Sequence, residues 1–253
     1  MRNTGFAEYP EAKSFVCDDP RAGNFTSSEI VALTTNGKAK DSFGVPFYSY
    51  IEEKKMERRL NRSLSEDVFA KPLSWGKLCE MYVFPKLPDY TPCSQLVLTH
   101  PTIDCWKGTP DAVKPETVGE IKCPMTLKSF CLLVDSWAKG GIERVRDKHK
   151  DGDKFYWQCV SNAILTNSTF AELIVFAPYR SELEAIRDLA QNFDGVNQQR
   201  YMWIALAPDD ELPFIVDGGH YKNVNVMRFE VPVADKMFLH SRVEKAREYL
   251  LFP

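Results

Sequence analysis

Four prolines, Pro92, Pro101, Pro115 and Pro124, cut the middle of the chain into short extended runs: QLVLTH near 95–100, IDCWKGTPDAV near 103–113 and TVGEIKCP near 117–124. A proline cannot donate to a sheet ladder, and it biases the residue before it away from the helical region, so these runs can only be strands of modest length. Behind Pro124 the pattern changes period. SFCLLVDSWAKGG reads as a short helix closed by Gly140 and Gly141, FYWQCVSNAILTN (155–167) as a mostly apolar helix, AELIVFAP (171–178) as a buried strand and SELEAIRDLAQNF (181–193) as an amphipathic helix. A meander of strands followed by a helix–strand crossover predicts an α/β architecture.

The flanks add helices. SSEIVALTT from Ser27 predicts a short helix with Ser27 or Ser28 as cap, while FYSYIEEKKMERRLNR (47–62) and LSWGKLCEMYVFPKL (73–87) both show helical periodicity. RYMWIALAP (200–208) and NVMRFEVPV (225–233) read as strands separated by a polar loop, and the chain closes in a helix from about Ala234 to Leu250. At 253 residues, with 44% hydrophobic residues and no compositional shift, the expectation is one domain spanning 1–253. No apolar run approaches the length of a membrane span. The N-terminal MRNTGFAEYPEAKSF lacks the apolar core of a secretory signal, which points to the cytoplasm. Seven cysteines (Cys17, Cys79, Cys93, Cys105, Cys123, Cys131 and Cys159), an odd number with no C-x-x-C pair, argue against a zinc site or a disulfide framework.

The chemistry concentrates in GTPDAVKPETVGEIKCP, residues 108–124, where Asp111, Glu120 and Lys122 form Pro-Asp, eight residues, Glu-x-Lys. Side chains alternate along a strand, so Glu120 and Lys122 project to one side with the Ile121 carbonyl beside them, and Asp111 can return there from a neighbouring strand. Carboxylates plus a carbonyl suit a hard divalent cation that keeps waters and substrate phosphate oxygens in its other positions. The pattern therefore reads as a metal-dependent phosphodiesterase; the same spacing also suits a solvated strand face beside a Pro-Asp turn. Glu80, beside the apolar face of its helix, is poorly explained by packing. The net charge of −3 requires that any surface for a polyanion be local. Two basic stretches qualify, Lys54, Lys55, Arg58, Arg59 and Arg62, and Lys139, Arg144, Arg146, Lys148, Lys150 and Lys154, and both also read as ordinary solvated surface.

An ordered series resembles the lambda exonuclease family of viral recombination (alkaline) exonucleases, a branch of the PD-(D/E)xK nuclease superfamily. It comprises Arg21 followed by T-S-S-E (Thr26 to Glu29), L-S-W-G-K-x-x-E (Leu73 to Glu80), T-P-D (Thr109 to Asp111), E-I-K-C-P (Glu120 to Pro124) and Gln158 on the next apolar helix. The resemblance runs from Arg21 to about Pro178 and implies a restriction-endonuclease-like central mixed sheet flanked by helices. It implies that Asp111, Glu120 and the Ile121 carbonyl bind Mg2+, two ions with Mn2+ able to substitute, and that Glu80 is an added acidic ligand, direct or through water. Lys122 then positions or activates the attacking water, and Gln158 orients the lysine or the water; as a residue alone Gln158 also suits a polar helix edge. Arg21 and Ser28 match positions that hold a terminal 5′-phosphate, although Ser28 alone also reads as an N-cap. Thr109 matches a position contacting backbone phosphate. Some nucleases with this kind of motif carry an iron–sulfur cluster, but no cysteine follows Cys159 to complete one.

Two departures stand out. Ala112 replaces the usual Gly after Pro-Asp, and the segments near 141–155 and 180–222 look like insertions. The resulting expectation is a Mg2+-dependent 5′ to 3′ exonuclease that degrades one strand of linear duplex DNA to mononucleotides and leaves 3′ overhangs for recombination. The resemblance also implies a trimeric ring and a single-strand annealing recombinase as partner, with no membrane association; a phage or prophage origin would place it in the bacterial cytoplasm. A superfamily endonuclease, or a DNA-binding assembly protein with a decayed site, are the alternatives.

Overall fold

Apolar β-rich segments buried on both faces become the inner strands, and everything else is arranged around them. The computed structural model describes residues 19–40, 42–64, 70–193 and 198–251. In chain order the elements are β1 (Phe25–Thr26), α1 (Val45–Leu60), α2 (Lys71–Val83), β2 (Thr91–Pro92), β3 (Leu98–Thr99), β4 (Trp106–Gly108), β5 (Ala112–Lys114) and β6 (Thr117–Lys122). There follow α3 (Leu127–Lys148), α4 (Gly152–Leu165), β7 (Phe170–Phe176), α5 (Leu183–Gln191), α6 (Gln198–Leu206), β8 (Val224–Glu230) and α7 (Val233–Leu251). A five-stranded mixed sheet has the order β2-β5-β6-β7-β8, and a small sheet has the order β1-β4-β3. Only β6 and β7 pair in parallel within the larger sheet, as expected for strands joined by the α3–α4 crossover.

Because β6 and β7 are covered on both sides, their alternate residues feed different clusters. Leu173 and Val175 pack with Phe130 and Leu133 of α3, and Val118 and Ala171 pack with Val160 and Ala163 of α4. On the opposite face Ile121, Ile174 and Phe176 meet Trp75 and Leu78 of α2, Ile186 of α5 and Ile204 of α6. The central mixed sheet flanked by helices is the fold expected. Among the described residues no helix is long and apolar enough to cross a membrane. Six cysteines are free thiols; Cys17 lies outside the described residues.

Several local expectations are corrected. The segment RYMWIALAP is helix α6, not a strand: Tyr201 and Ile204, three residues apart, are the buried pair, a helical spacing that an apolar run this short leaves ambiguous. IDCWKGTPDAV is not one strand but two in different sheets, broken where Pro110 removes a donor. QLVLTH contributes only Leu98–Thr99 to a sheet. The helix after Pro124 does not end at Gly140 and Gly141: it breaks there, with Gly141 at φ 61°, and resumes to Lys148. SSEIVALTT forms only a 3-10 turn over Ile30–Thr34, and neither serine caps it. Ser27 Oγ turns inward to Ser161 Oγ at 2.8 Å, and Ser28 Oγ meets Thr26 Oγ1 at 3.3 Å.

Gly108 ends β4 against the crossover helix. A Cβ placed there would lie under 3.0 Å from Ser27 Oγ, Leu165 Cδ1 and Asn162 Oδ1. Gly108→Ala should therefore cost about 1–3 kcal/mol, the usual penalty of overpacking. A urea midpoint unchanged from the parent would contradict this.

Candidate active site

The corner at Thr109–Asp111 carries the chain from the small sheet to the large one and delivers Asp111 to the end of β5. β5 pairs with β6 as Ala112 with Gly119, so one step further along the same register sets Asp111 beside Glu120. There the ladder stops. The Ile121 N–H, left without a strand partner on that side, donates to Asp111 Oδ2 at 2.7 Å. In extended backbone a residue's carbonyl points the same way as its N–H, so the Ile121 carbonyl faces the same edge.

Glu120 and Lys122 project together from β6, as the period of two requires. Lys122 Nζ lies 2.6 Å from Glu120 Oε1 and 3.3 Å from Gln158 Oε1, while Gln158 Nε2 donates to Glu120 Oε1 at 2.5 Å. A residue not anticipated from the sequence completes the set: Asn162 Nδ2 donates to Glu120 Oε2 at 3.1 Å. Its signal was available, since Asn162 follows Gln158 by four residues and shares its helix face. Glu80 reaches the same region from α2, half-buried and close enough to interact with Asp111 and Lys122.

Burial and crowding govern the charges. Glu120 is 3% exposed, and burial, then the Asp111 carboxylate, push its carboxyl up to about 8 against the opposing pull of Lys122. Burial, then Asp111, likewise raise Glu80 to about 7, with Lys122 and Lys77 resisting. Burial raises Asp111 as well, opposed by Lys122 and by the Ile121 amide. Burial alone would lower Lys122, but Glu120 and Asp111 outweigh it and hold the ammonium firmly charged. Three carboxyls thus converge with too little positive charge to neutralise them.

Beside them opens a cleft of about 550 Å³ whose lining includes Glu80, Ile121, Lys122, Lys77, Lys150 and Phe155. Lys122 Nζ sits 5.2 Å from the centre of the Phe155 ring. A second cavity, of about 310 Å³, brings Arg21 and Ser28 together with Thr26, Tyr50 and Lys54, alongside carboxylates of Asp19, Glu29, Glu53 and Glu57. Arg21 is exposed and its Nε lies 3.3 Å from Asp19 Oδ1. Thr109 lines neither cavity; its hydroxyl is buried with no hydrogen-bond partner among the described residues.

The two basic stretches divide their labour. Lys54 is only 6% exposed and is bound to Glu57, and Arg58 Nε donates to the Gly23 carbonyl at 2.7 Å, so part of the α1 stretch is structural. Arg146 bonds Asp153 at 2.8 Å and lies over Tyr156 at 4.0 Å, and Lys154 bonds Glu29 at 2.9 Å. Arg59, Arg62, Lys139 and Arg144 are exposed.

Among the described residues, no group of three or more His, Cys, Asp or Glu side chains is arranged to hold a metal ion by itself. What the site offers is smaller: the Asp111 and Glu120 carboxylates, the Ile121 carbonyl and an adjoining cleft, with Glu80 nearby. That set does not suit zinc, but it fits Mg2+, which takes one or two carboxylates and keeps several waters. The raised carboxyl groups point the same way, because a divalent cation supplies the charge the cluster lacks.

No protein-family model and no curated protein matches the chain. Solved structures do. An alkaline exonuclease (LHK-Exo) from Laribacter hongkongensis is similar with a TM-score of 0.56 at 16% identity, over 91% of this chain and 89% of that one. The same enzyme in complex with dAMP gives 0.56 at 17% identity, over the same shares. A phage-related exonuclease from Haemophilus somnus 129PT gives 0.58 at 12% identity, over 90% of this chain and 93% of that one. At these identities the likeness is one of architecture, and it extends along nearly the whole chain: this protein has the fold of the alkaline and phage-related exonucleases.

Proposed function

We propose that the protein is a Mg2+-dependent 5′ to 3′ exonuclease that shortens one strand of linear duplex DNA to mononucleotides, producing 3′ overhangs for recombination. The observation that carries this reading is the convergence of Asp111, Glu120, Lys122 and Gln158 at an open strand edge beside a cleft. Bound Mg2+ would be held by Asp111, Glu120 and the Ile121 carbonyl, with Glu80 adjacent, and would stabilise the attacking and leaving oxygens of an in-line displacement. Lys122 holds a permanent positive charge at the cleft wall, where it orients a water and offsets negative charge building on the phosphoryl oxygens. Gln158 keeps the Lys122 ammonium and the Glu120 carboxylate in fixed relation by bonding both.

The end preference rests on the Arg21–Ser28 cavity. An exposed arginine fork with the Thr26 and Ser28 hydroxyls suits a terminal phosphate, which would displace Asp19 from Arg21, better than an internal diester, since the terminal group carries more charge and more acceptor oxygens. That one structural neighbour was crystallised with dAMP agrees with release of deoxynucleoside monophosphates. A ring-shaped trimer and an annealing recombinase belong to the same reading.

Incubation with Mg2+ and three substrates tests it: linear 5′-phosphorylated duplex, linear 5′-hydroxyl duplex and closed circular plasmid. The phosphorylated duplex should be degraded from its 5′ ends, chelation by EDTA should stop the reaction, and cutting of the closed circle would sink the exonuclease reading in favour of an endonuclease. Arg21→Ala should lower kcat/KM on the phosphorylated duplex by about tenfold or more, the worth of a charge-assisted hydrogen bond, and should narrow the difference between the two linear substrates. An undiminished preference would separate Arg21 from end recognition.

A further inference from the structure

We infer that Asn162 is a positioning residue that sets the Glu120 carboxylate for metal binding, an inference that rests on the metal-site reading above. A carboxylate has about two acceptor directions on each oxygen. On Glu120 the division is uneven: Oε1 accepts from both Lys122 Nζ at 2.6 Å and Gln158 Nε2 at 2.5 Å, whereas among the described residues the donor to Oε2 is Asn162 Nδ2 at 3.1 Å. Oε1 is saturated, and Oε2 keeps one direction open. Asn162 therefore does two things at once. It pins the plane of the carboxylate, which Lys122 and Gln158 on a single oxygen would leave free to pivot, and it decides which lone pair remains for a cation.

The other end of the Asn162 amide strengthens the case. Asn162 is 1% exposed, and its Oδ1 is buried with no hydrogen-bond partner among the described residues, crowded against Gly108. Turning the amide over would set that oxygen against the Glu120 carboxylate, so the orientation is dictated by Glu120. A buried, half-satisfied amide is a penalty that packing alone does not explain. An apolar side chain of the same size would fill the space without it.

Metal affinity separates positioning from packing, because outer partners of a ligating carboxylate alter affinity by about tenfold or more when removed. Mn2+ binding is followed by the loss of the free-ion paramagnetic resonance signal in the parent, in Asn162→Leu and in Ser161→Ala. Ser161 is the control: from the same helical turn it shares a buried hydrogen bond with Ser27 Oγ and accepts one from Trp106 Nε1, and among the described residues no hydrogen bond joins it to a carboxylate. Asn162→Leu should weaken Mn2+ binding about tenfold with an unchanged or higher Tm, while Ser161→Ala lowers Tm and leaves affinity within twofold. Should Asn162→Leu fail to fold, Asn162→Ala, which adds no atoms, should show the same loss of affinity. Parent-like Mn2+ affinity in a folded Asn162 variant overturns this inference and leaves the metal site standing. Absence of Mn2+ binding to the parent overturns both.

Discussion

Lys122→Ala should lower the single-turnover rate on linear 5′-phosphorylated duplex by about 10²- to 10⁴-fold, the range expected when a group that positions or activates a reacting water is lost. Binding of the same duplex, followed by fluorescence anisotropy, should change little, since Lys122 is one cation in a cleft that also contains Lys77 and Lys150. The substitution reaches beyond the missing ammonium. Lys122 is the chief influence opposing burial and Asp111 at Glu120, so without it the Glu120 carboxyl moves further above its raised value and holds its proton more tightly. More metal should then be needed for half-maximal activity, though added metal will not restore the parent rate. A rate within tenfold of the parent at saturating Mg2+ would remove Lys122 from the chemistry.

The largest loss of stability should come from Glu57→Ala, a residue well away from the cleft. Glu57 is fully buried and accepts from the Gly23 amide at 2.6 Å, the Leu64 amide at 3.0 Å and Lys54 Nζ at 3.0 Å. Truncation strands two amides and leaves the exposed Glu53 as the remaining carboxylate bonded to the buried Lys54 among the described residues, a change that costs about 3–5 kcal/mol for a broken buried pair. Burial alone would raise the Glu57 carboxyl, but those amides and the ammonium outweigh it and hold it below the usual carboxylate range. A carboxyl lowered by folding stabilises fully above its unfolded value, about 4.3, and that contribution disappears as pH falls through the lower folded value. The gap in urea midpoint between parent and Glu57→Ala should therefore be wide at pH 7 and narrow below about pH 4. A gap that stays constant with pH would mean that packing, not charge, sets the cost. Because Gly23 lies two residues after Arg21, the same variant should also weaken end preference.

What could be read from the sequence divides along physical lines. The Glu120–Lys122 pairing follows from strand periodicity, and the return of Asp111 follows from the Pro-Asp corner, so both were legible in a few residues. Glu80 was legible as an acid that packing does not explain. For Asn162 the available signal is its place four residues after Gln158 on the same helix face, but an asparagine in an apolar helix looks like an exception until the carboxylate it meets is known. The turn at Ile30–Thr34 defeated a capping reading because Ser27 has a better partner 134 residues away in Ser161. Helix α6 is not legible, because nine residues with apolar side chains on most faces carry no decisive period. Basic residues of α1 were read as surface, yet Lys54 and Arg58 turn inward to Glu57 and Gly23, a choice that only the tertiary partner determines.

Helix α4 ties together two places that the chain otherwise keeps apart. Its Gln158 bonds Glu120 and Lys122, and three residues on its Ser161 grips Ser27, the neighbour of Ser28 in the Arg21 cavity. An α-helix rises 1.5 Å per residue and does not stretch, so the three residue steps from Gln158 to Ser161 fix a separation of roughly 4.5 Å along its axis. On the proposed reading α4 is a ruler: the gap between the held end of a strand and the bond to be cut becomes a constant of the scaffold, and the enzyme counts its substrate in equal steps.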